Sequence, residues 1–268
     1  MAKVICIANQ KGGVGKTTTA INLAASLAAA QKRTMFIDFD PQANATSGVG
    51  VDKEEVRRSI YDALIGEADI ADIKIDVETE ALGGFLSVVP ATPELTGAEV
   101  ELLHLENREW RLKQAIEKVA NEYDFILIDC PPSLSILTVN ALTAADSVLI
   151  PVQCEYYAME GLGQLQRTIS LIRQRLNPEL KVEGYLLTMF DSRNRICHVV
   201  ANELRAYFNE DVFESVIFRN VRLAESPSHG KPIILYDIKS TGAESYMSLA
   251  REVIARNGGG NIEESHTG

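Results

Sequence analysis

Residues 9–18 read NQKGGVGKTT, a run in which glycines, lysines and hydroxyls are spaced as phosphate chemistry requires. The pattern G-x-x-x-x-G-K-[ST] places its last glycine at Gly15, its lysine at Lys16 and its hydroxyl at Thr17. The first glycine of that pattern is replaced by Gln10, and a second lysine, Lys11, follows it. Backbone N–H groups of Gly12, Gly13, Val14 and Gly15 can turn inward around phosphate oxygens where no Cβ obstructs them. Lys16 would reach the β- and γ-phosphates, Thr17 would ligate Mg²⁺ through its hydroxyl, and Thr18 completes the phosphate-binding run. The loop thus calls for ATP or ADP with Mg²⁺, and it leaves Lys11 as a cation with no evident task.

Two acidic positions complete such a site. The segment DFILIDCPPS is apolar up to Asp129 and then turns at Pro131 and Pro132, so Asp129 can hold the ion, through water. In FIDFDPQANATSG, Asp38 and Asp40 stand two apart at a strand end, a spacing that puts both on one face. Asp40, before Pro41, is the better placed to leave the sheet, orient the attacking water and serve as a further candidate ligand of the ion. An aspartate before proline is also a common turn cap.

The elements that must position these residues are legible as alternation. Strands are expected over 3–8, 34–39, 86–91, 124–129, 147–153, 182–190 and 212–218, several of them apolar almost throughout, as in a parallel sheet covered on both faces. Helical patterns lie between them, at 16–30, 108–120, 161–176 and 199–208. The expectation is an α/β fold, doubly wound, with a mostly parallel sheet, helices on both faces and ligands at the carboxyl ends of the strands. No repeat or linker divides residues 1–256, which read as a single P-loop ATPase domain. Residues 257–268, rich in glycine and then polar and acidic, read as a flexible tail.

Taken together, KGGVGKTT, DFDPQANATSG and DCPPS resemble the deviant Walker-A ATPases of the ParA/Soj branch. The likeness runs on through IPVQCEYYAMEGL, LLTMFDSR, RNVRLAESPSHGKPI and GAESYMSLA, over nearly all of residues 2–256. The resemblance implies a task for Lys11: reaching across an ATP-dependent homodimer to the phosphates bound by the other subunit, as an arginine finger does in trans. It implies that Met189, Phe218 and Asn220 hold the adenine and ribose, although Phe218 replaces the proline usual in relatives and Ala43 stands where glycine is common. It implies non-specific binding of double-stranded DNA, with Arg193 and Arg222 at positions the family uses and Arg195 and Arg219 beside them. The implied partner is a ParB/Spo0J-like centromere-binding protein that stimulates slow intrinsic hydrolysis, in a cytoplasmic, nucleoid-associated cycle of chromosome partitioning.

Composition bounds these expectations. The chain has 268 residues, 46% of them hydrophobic, enough for a substantial core. No apolar run reaches the ~18 residues needed to cross a bilayer, and the start enters a strand with no leader pattern. The net charge of −11 argues against nucleic acid on average, yet a local basic patch can still neutralise phosphates. From residue types alone, the arginines between 187 and 222 could equally be a solvated face paired with Glu203, Glu210 and Asp211. No helix-turn-helix pattern precedes the loop, which argues against operator recognition. The four cysteines lack metal-ligand spacing, so they read as free thiols and weigh against an iron–sulfur electron donor. A MinD-like membrane cycle would want a basic amphipathic C-terminus, which RNGGGNIEESHTG is not. A positioner of plasmids or protein arrays would use the same ATP chemistry and stays open.

Overall fold

The computed structural model describes residues 1–77, 79–155 and 158–258. Eight strands form one sheet: β1 (Lys3–Ile7), β2 (Thr34–Asp38), β3 (Ile75–Asp76), β4 (Leu86–Val89), β5 (Phe125–Asp129), β6 (Ser147–Gln153), β7 (Lys181–Phe190) and β8 (Val212–Phe218). Their order across the sheet is β3-β4-β2-β5-β1-β6-β7-β8. All pairings are parallel except β3 on β4.

The near-continuous apolar strands follow from burial on both faces. Along β1, Val4 and Cys6 join one core layer while Ile5 and Ile7 join the other. The first layer receives the helices Ile136–Ala144, Ala158–Arg175 and Arg195–Phe208 through Leu137, Leu165 and Leu204, among others. The second receives Lys16–Ala29, whose Leu23 and Leu27 are sealed over β1, β2 and β5, and Thr241–Asn257, whose Tyr246 and Leu249 are sealed in the layer over β8 and beside the Lys16–Ala29 helix. Burial of apolar area on this scale is what drives the doubly wound arrangement.

The expected elements are present with shifted ends. The strand expected over 86–91 stops at Val89, because Pro90 has no N–H to donate to the ladder. The helix expected from 108 begins at Arg111, and that expected from 199 begins four residues earlier, at Arg195, where the Asn194 side chain caps it. The edge strand β3 was not foreseen, being two exposed residues long and too short to show a period. The C-terminal helix continues to Asn257; residues 259–268, most of the expected tail, lie outside the described residues.

Topology decides where a site can form. β1 lies between β5 and β6, and the chain leaves β1 at the sheet's carboxyl edge with strands on both sides. Register sets Asp129 beside Ile7 and also beside Asp38, so the ends of β1, β5 and β2 are level. Among the described residues no helix is long and apolar enough to cross a membrane.

Candidate active site

The loop after β1 is fastened at three points. Asn9, itself buried, donates its Nδ2 to the Pro151 carbonyl of β6 at 2.7 Å, and its Oδ1 accepts the Lys11 N–H at 3.0 Å. The Thr188 hydroxyl of β7 donates to the Val14 carbonyl at 2.8 Å. Lys16 Nζ donates to the Lys11 carbonyl at 3.0 Å. Gly13 and Gly15 take φ of 74° and 87°, the left-handed region that a Cβ would strain. Gly15 caps the Lys16–Ala29 helix without a side-chain bond, and the first turn holds no acid. The first N–H groups and the positive end of the helix dipole therefore face the loop. Gly12 and Gly13 are exposed, and a Cβ built on either would meet nothing within 4 Å, so no side chain of the described residues obstructs the loop there.

The carboxylates are placed by the strand ends. Asp129 is fully buried, and neither of its side-chain oxygens has a hydrogen-bond partner. Burial drives its carboxyl well above the ordinary value, the neighbouring Asp38 and Asp40 push the same way, and Thr17 and Lys16 oppose them. Lys16 is lowered by burial and held up by Asp129, Cys130 and Asp40. An orphaned, buried carboxylate near a hydroxyl is a donor set that fits Mg²⁺, a hard cation that prefers oxygen.

Asp38 and Asp40, which the strand period puts on one face, stand in different surroundings. Asp38, fully buried, accepts from both the N–H and the hydroxyl of Thr46 at 2.7 Å and from the Asp40 N–H at 3.2 Å. Its pKa is raised to about 6 by burial, against the pull of those bonds. It is thus the anchor of the loop, and Thr46 carries the anchor on by accepting the Ala91 N–H at 3.0 Å. Asp40 lies beyond the strand and half-exposed; one of its oxygens caps the Gln42 N–H at 2.9 Å. Ala43 takes φ 50°, the left-handed region that a glycine enters without strain.

Met189, Phe218 and Asn220 come together around a cavity of about 380 Å³. Gly15 and Thr18 line the same cavity, so it opens directly onto the phosphate loop, with Ile217 and Tyr246 as its apolar wall. Asn220 is largely committed elsewhere: its Oδ1 caps the Arg222 and Leu223 N–H groups, and its Nδ2 donates to Thr241 Oγ1 at 2.6 Å. Phe218 is 43% exposed and meets Phe190 edge-on at 5.8 Å.

The four arginines are all exposed. Arg193 forms a two-pronged pair with Asp191, both contacts at 3.0 Å, and Arg222 pairs with Glu225 at 3.0 Å and Asp237 at 3.7 Å. The partners are therefore not the expected Glu203, Glu210 and Asp211. Arg193 holds the Asp191 carboxyl down at about 2. Arg195 and Arg219 form no ion pair among the described residues. Lys11 is paired with Glu155 of its own chain. All four cysteines are free and buried, with Cys6 and Cys130 sulfurs 3.1 Å apart.

A phosphate loop at the end of the central strand, with a buried carboxylate at the end of the next, defines a P-loop ATPase. The family model described as "AAA domain" matches residues 2–182. The chromosome partitioning protein ParA of Myxococcus xanthus is 60% identical over 256 residues, 96% of this chain and 89% of that protein. The sporulation initiation inhibitor protein Soj of Bacillus subtilis is 56% identical over 255 residues, 95% of this chain and 99% of that protein. A crystal structure of cobyrinic acid a,c-diamide synthase from Mycobacterium smegmatis, with bound ADP and magnesium, matches with TM-score 0.84 at 35% identity, over 97% of both chains. The chain belongs to the ParA/Soj family of chromosome-partitioning ATPases.

Several residues of the site were not singled out in the sequence: Asn9, Thr46, Glu155, Thr188 and Tyr246. Asn9, Thr188 and Tyr246 act over separations of 142, 174 and 227 residues, beyond the reach of any local pattern. All five lie inside stretches already quoted, Asn9 in the loop and Thr46 in FIDFDPQANATSG, but nothing in those stretches marks which side chain the distant strands will meet.

Proposed function

We propose that this ATPase works as an ATP-gated dimer that holds DNA without sequence preference and is discharged by a ParB/Spo0J-like partner on the nucleoid. The observation that carries the proposal is the contrast between the two lysines of one loop. Lys16 is buried at the mouth of the helix, whereas the Lys11 side chain is 36% exposed and can leave the chain. A cation that can leave suits a role in trans, where it offsets charge developing on a second copy's phosphates. On this reading residues 1–256 act as a single unit.

Within one chain, the N–H groups of residues 12–18 and Lys16 would cradle the phosphates of ATP or ADP. Thr17 and Asp129, the latter through water, would hold Mg²⁺, with Asp40 as a further candidate. The ion, when bound, supplies positive charge to the β- and γ-phosphate oxygens. Asp40, with one oxygen committed to Gln42, keeps the other for orienting the attacking water. Asp38 and Thr46 hold Asp40 in place. Met189 and Phe218 would pack on the adenine, and Asn220, its side chain engaged, would shape the ribose end through its backbone.

Arg193, Arg222, Arg219 and Arg195 supply phosphate contacts. Exposed ion pairs of the Arg193 and Arg222 kind hold only weakly, so a DNA phosphate can displace Asp191 or Glu225. A dimer doubles the number of contacts, and affinity then rises steeply with ATP. The test is binding to non-specific duplex DNA with ATP, with ADP, and with ATP for an Arg193→Ala/Arg222→Ala variant. Binding with ATP alone, weakened by salt and lost in the variant, is expected. Equal indifference to DNA in every nucleotide state would overturn the proposal and leave an ATP switch for another cargo.

A further inference from the structure

The ion pair between Lys11 and Glu155 has both ends hung from the same strand. Asn9, which fixes the Lys11 N–H, is itself bonded to Pro151 within β6. Glu155 follows β6 by two residues, with its N–H on the Gln153 carbonyl at 2.9 Å and the preceding Cys154 N–H on the Thr188 carbonyl at 3.3 Å. The Lys11 carbonyl is occupied too, by Lys16 Nζ. The backbone of Lys11 is thus pinned on both sides, and only its side chain is left to swing.

An ammonium held this way has two anionic destinations. One is the carboxylate of Glu155; the other, if Lys11 acts in trans, is the phosphate of the nucleotide in a second copy. It cannot serve both. We propose that Glu155 is a positioning residue for Lys11: it keeps the lysine on its own chain until two ATP-loaded copies meet, and so sets the threshold for dimerisation. The proposal rests on the trans role of Lys11. The exposures of the two side chains, 36% and 37%, place the pair among those that hold weakly. Each such pair is worth about 1.4- to 5-fold in an equilibrium. Because two must open per dimer, the combined bias is on the order of 2- to 30-fold. That is enough to set a threshold and too little to lock the lysine away.

The test is sedimentation velocity in Mg²⁺ and the slowly hydrolysed ATPγS, for wild type, Glu155→Gln, Glu155→Asp, Lys11→Ala and Lys11→Ala/Glu155→Gln. Glu155→Gln, equal in size and uncharged, is expected to tighten the dimer by about 2- to 30-fold. Nucleotide affinity at monomer concentrations is expected to stay as in wild type, which a merely structural role would not guarantee. Glu155→Asp, keeping the charge, is expected to stay near wild type. Lys11→Ala is expected not to dimerise, with or without Glu155→Gln. If Lys11→Ala dimerises normally, the trans role falls and this proposal with it. If Lys11→Ala fails but Glu155→Gln dimerises like wild type or more weakly, the role of Glu155 alone is overturned.

Discussion

Replacing Asp129 by asparagine should make the nucleotide-free protein more stable while destroying its response to magnesium. The carboxylate is fully buried, has no hydrogen-bond partner and lies beside a second buried carboxylate, Asp38, in the strand register. Leaving a buried polar group unpaired costs about 1–3 kcal/mol, and more when it is charged. Asparagine has the same shape and no charge, so it removes the charge penalty while keeping the packing. Asparagine still leaves a buried polar group unpaired, so the gain is only the excess that the charge adds, ~1 kcal/mol. In a chain of 268 residues each kcal/mol moves Tm by about 2 °C, so Tm should rise by ~2 °C. The assay is thermal unfolding of both proteins alone, with ATP and EDTA, and with ATP and Mg²⁺. At about one hundred times Kd a ligand adds ~2.7 kcal/mol, which sets the size of the expected wild-type increment. The extra increment from Mg²⁺ should vanish in Asp129→Asn. A variant less stable than wild type without nucleotide would mean that the carboxylate is satisfied. An unchanged Mg²⁺ increment would mean that it is not near the ion. Either result would refute the reasoning.

Other substitutions separate the parts of the site. Lys16→Ala should abolish nucleotide binding in equilibrium dialysis, whereas Asp40→Ala should still bind ATP and dimerise but release no phosphate; turnover by the latter would remove Asp40 from its role. Asp38 provides a pH dependence: its pKa rises from 3.8 unfolded to about 6 folded, so the folded state holds the proton more tightly. Its stabilising contribution is complete below 3.8 and is lost as pH rises through 6, a change of roughly 1 kcal/mol between pH 5 and 7. Denaturant titrations of Asp38→Asn should show a correspondingly shallower pH slope than wild type. Thr46→Val removes two bonds, one to Asp38 and one from the Ala91 N–H, in a fully buried place. It should cost about 2–4 kcal/mol in urea unfolding, and a loss under 1 kcal/mol would show that the Asp38 anchor is dispensable.

The sequence by itself determined the class of fold and the phosphate chemistry. Lys16 and Thr17, with the glycines before them, are contiguous, and their task is set by local geometry at a strand-to-helix turn; Asp129 is marked by four apolar residues and two prolines. Apolar strands at intervals long enough for a crossover helix leave a parallel sheet as the economical solution. What could not be read from the sequence is which neighbour, near or far along the chain, each group turns to. Asp38 and Asp40 share a strand period, and Pro41 already marked Asp40 as the one to leave the sheet; that Asp38 stays buried on Thr46 was decided by the packing of residues 44–48. Likewise, the arginines were visible, but not that Asp191, Glu225 and Asp237 hold two of them. Lys11 stood out as a cation without a task, while its pairing with Glu155 required β6 to run on past the end of β1, alongside the loop. Sequence fixes which chemical groups are available; the register of parallel strands, set by burial of their side chains on both faces, decides which of them meet.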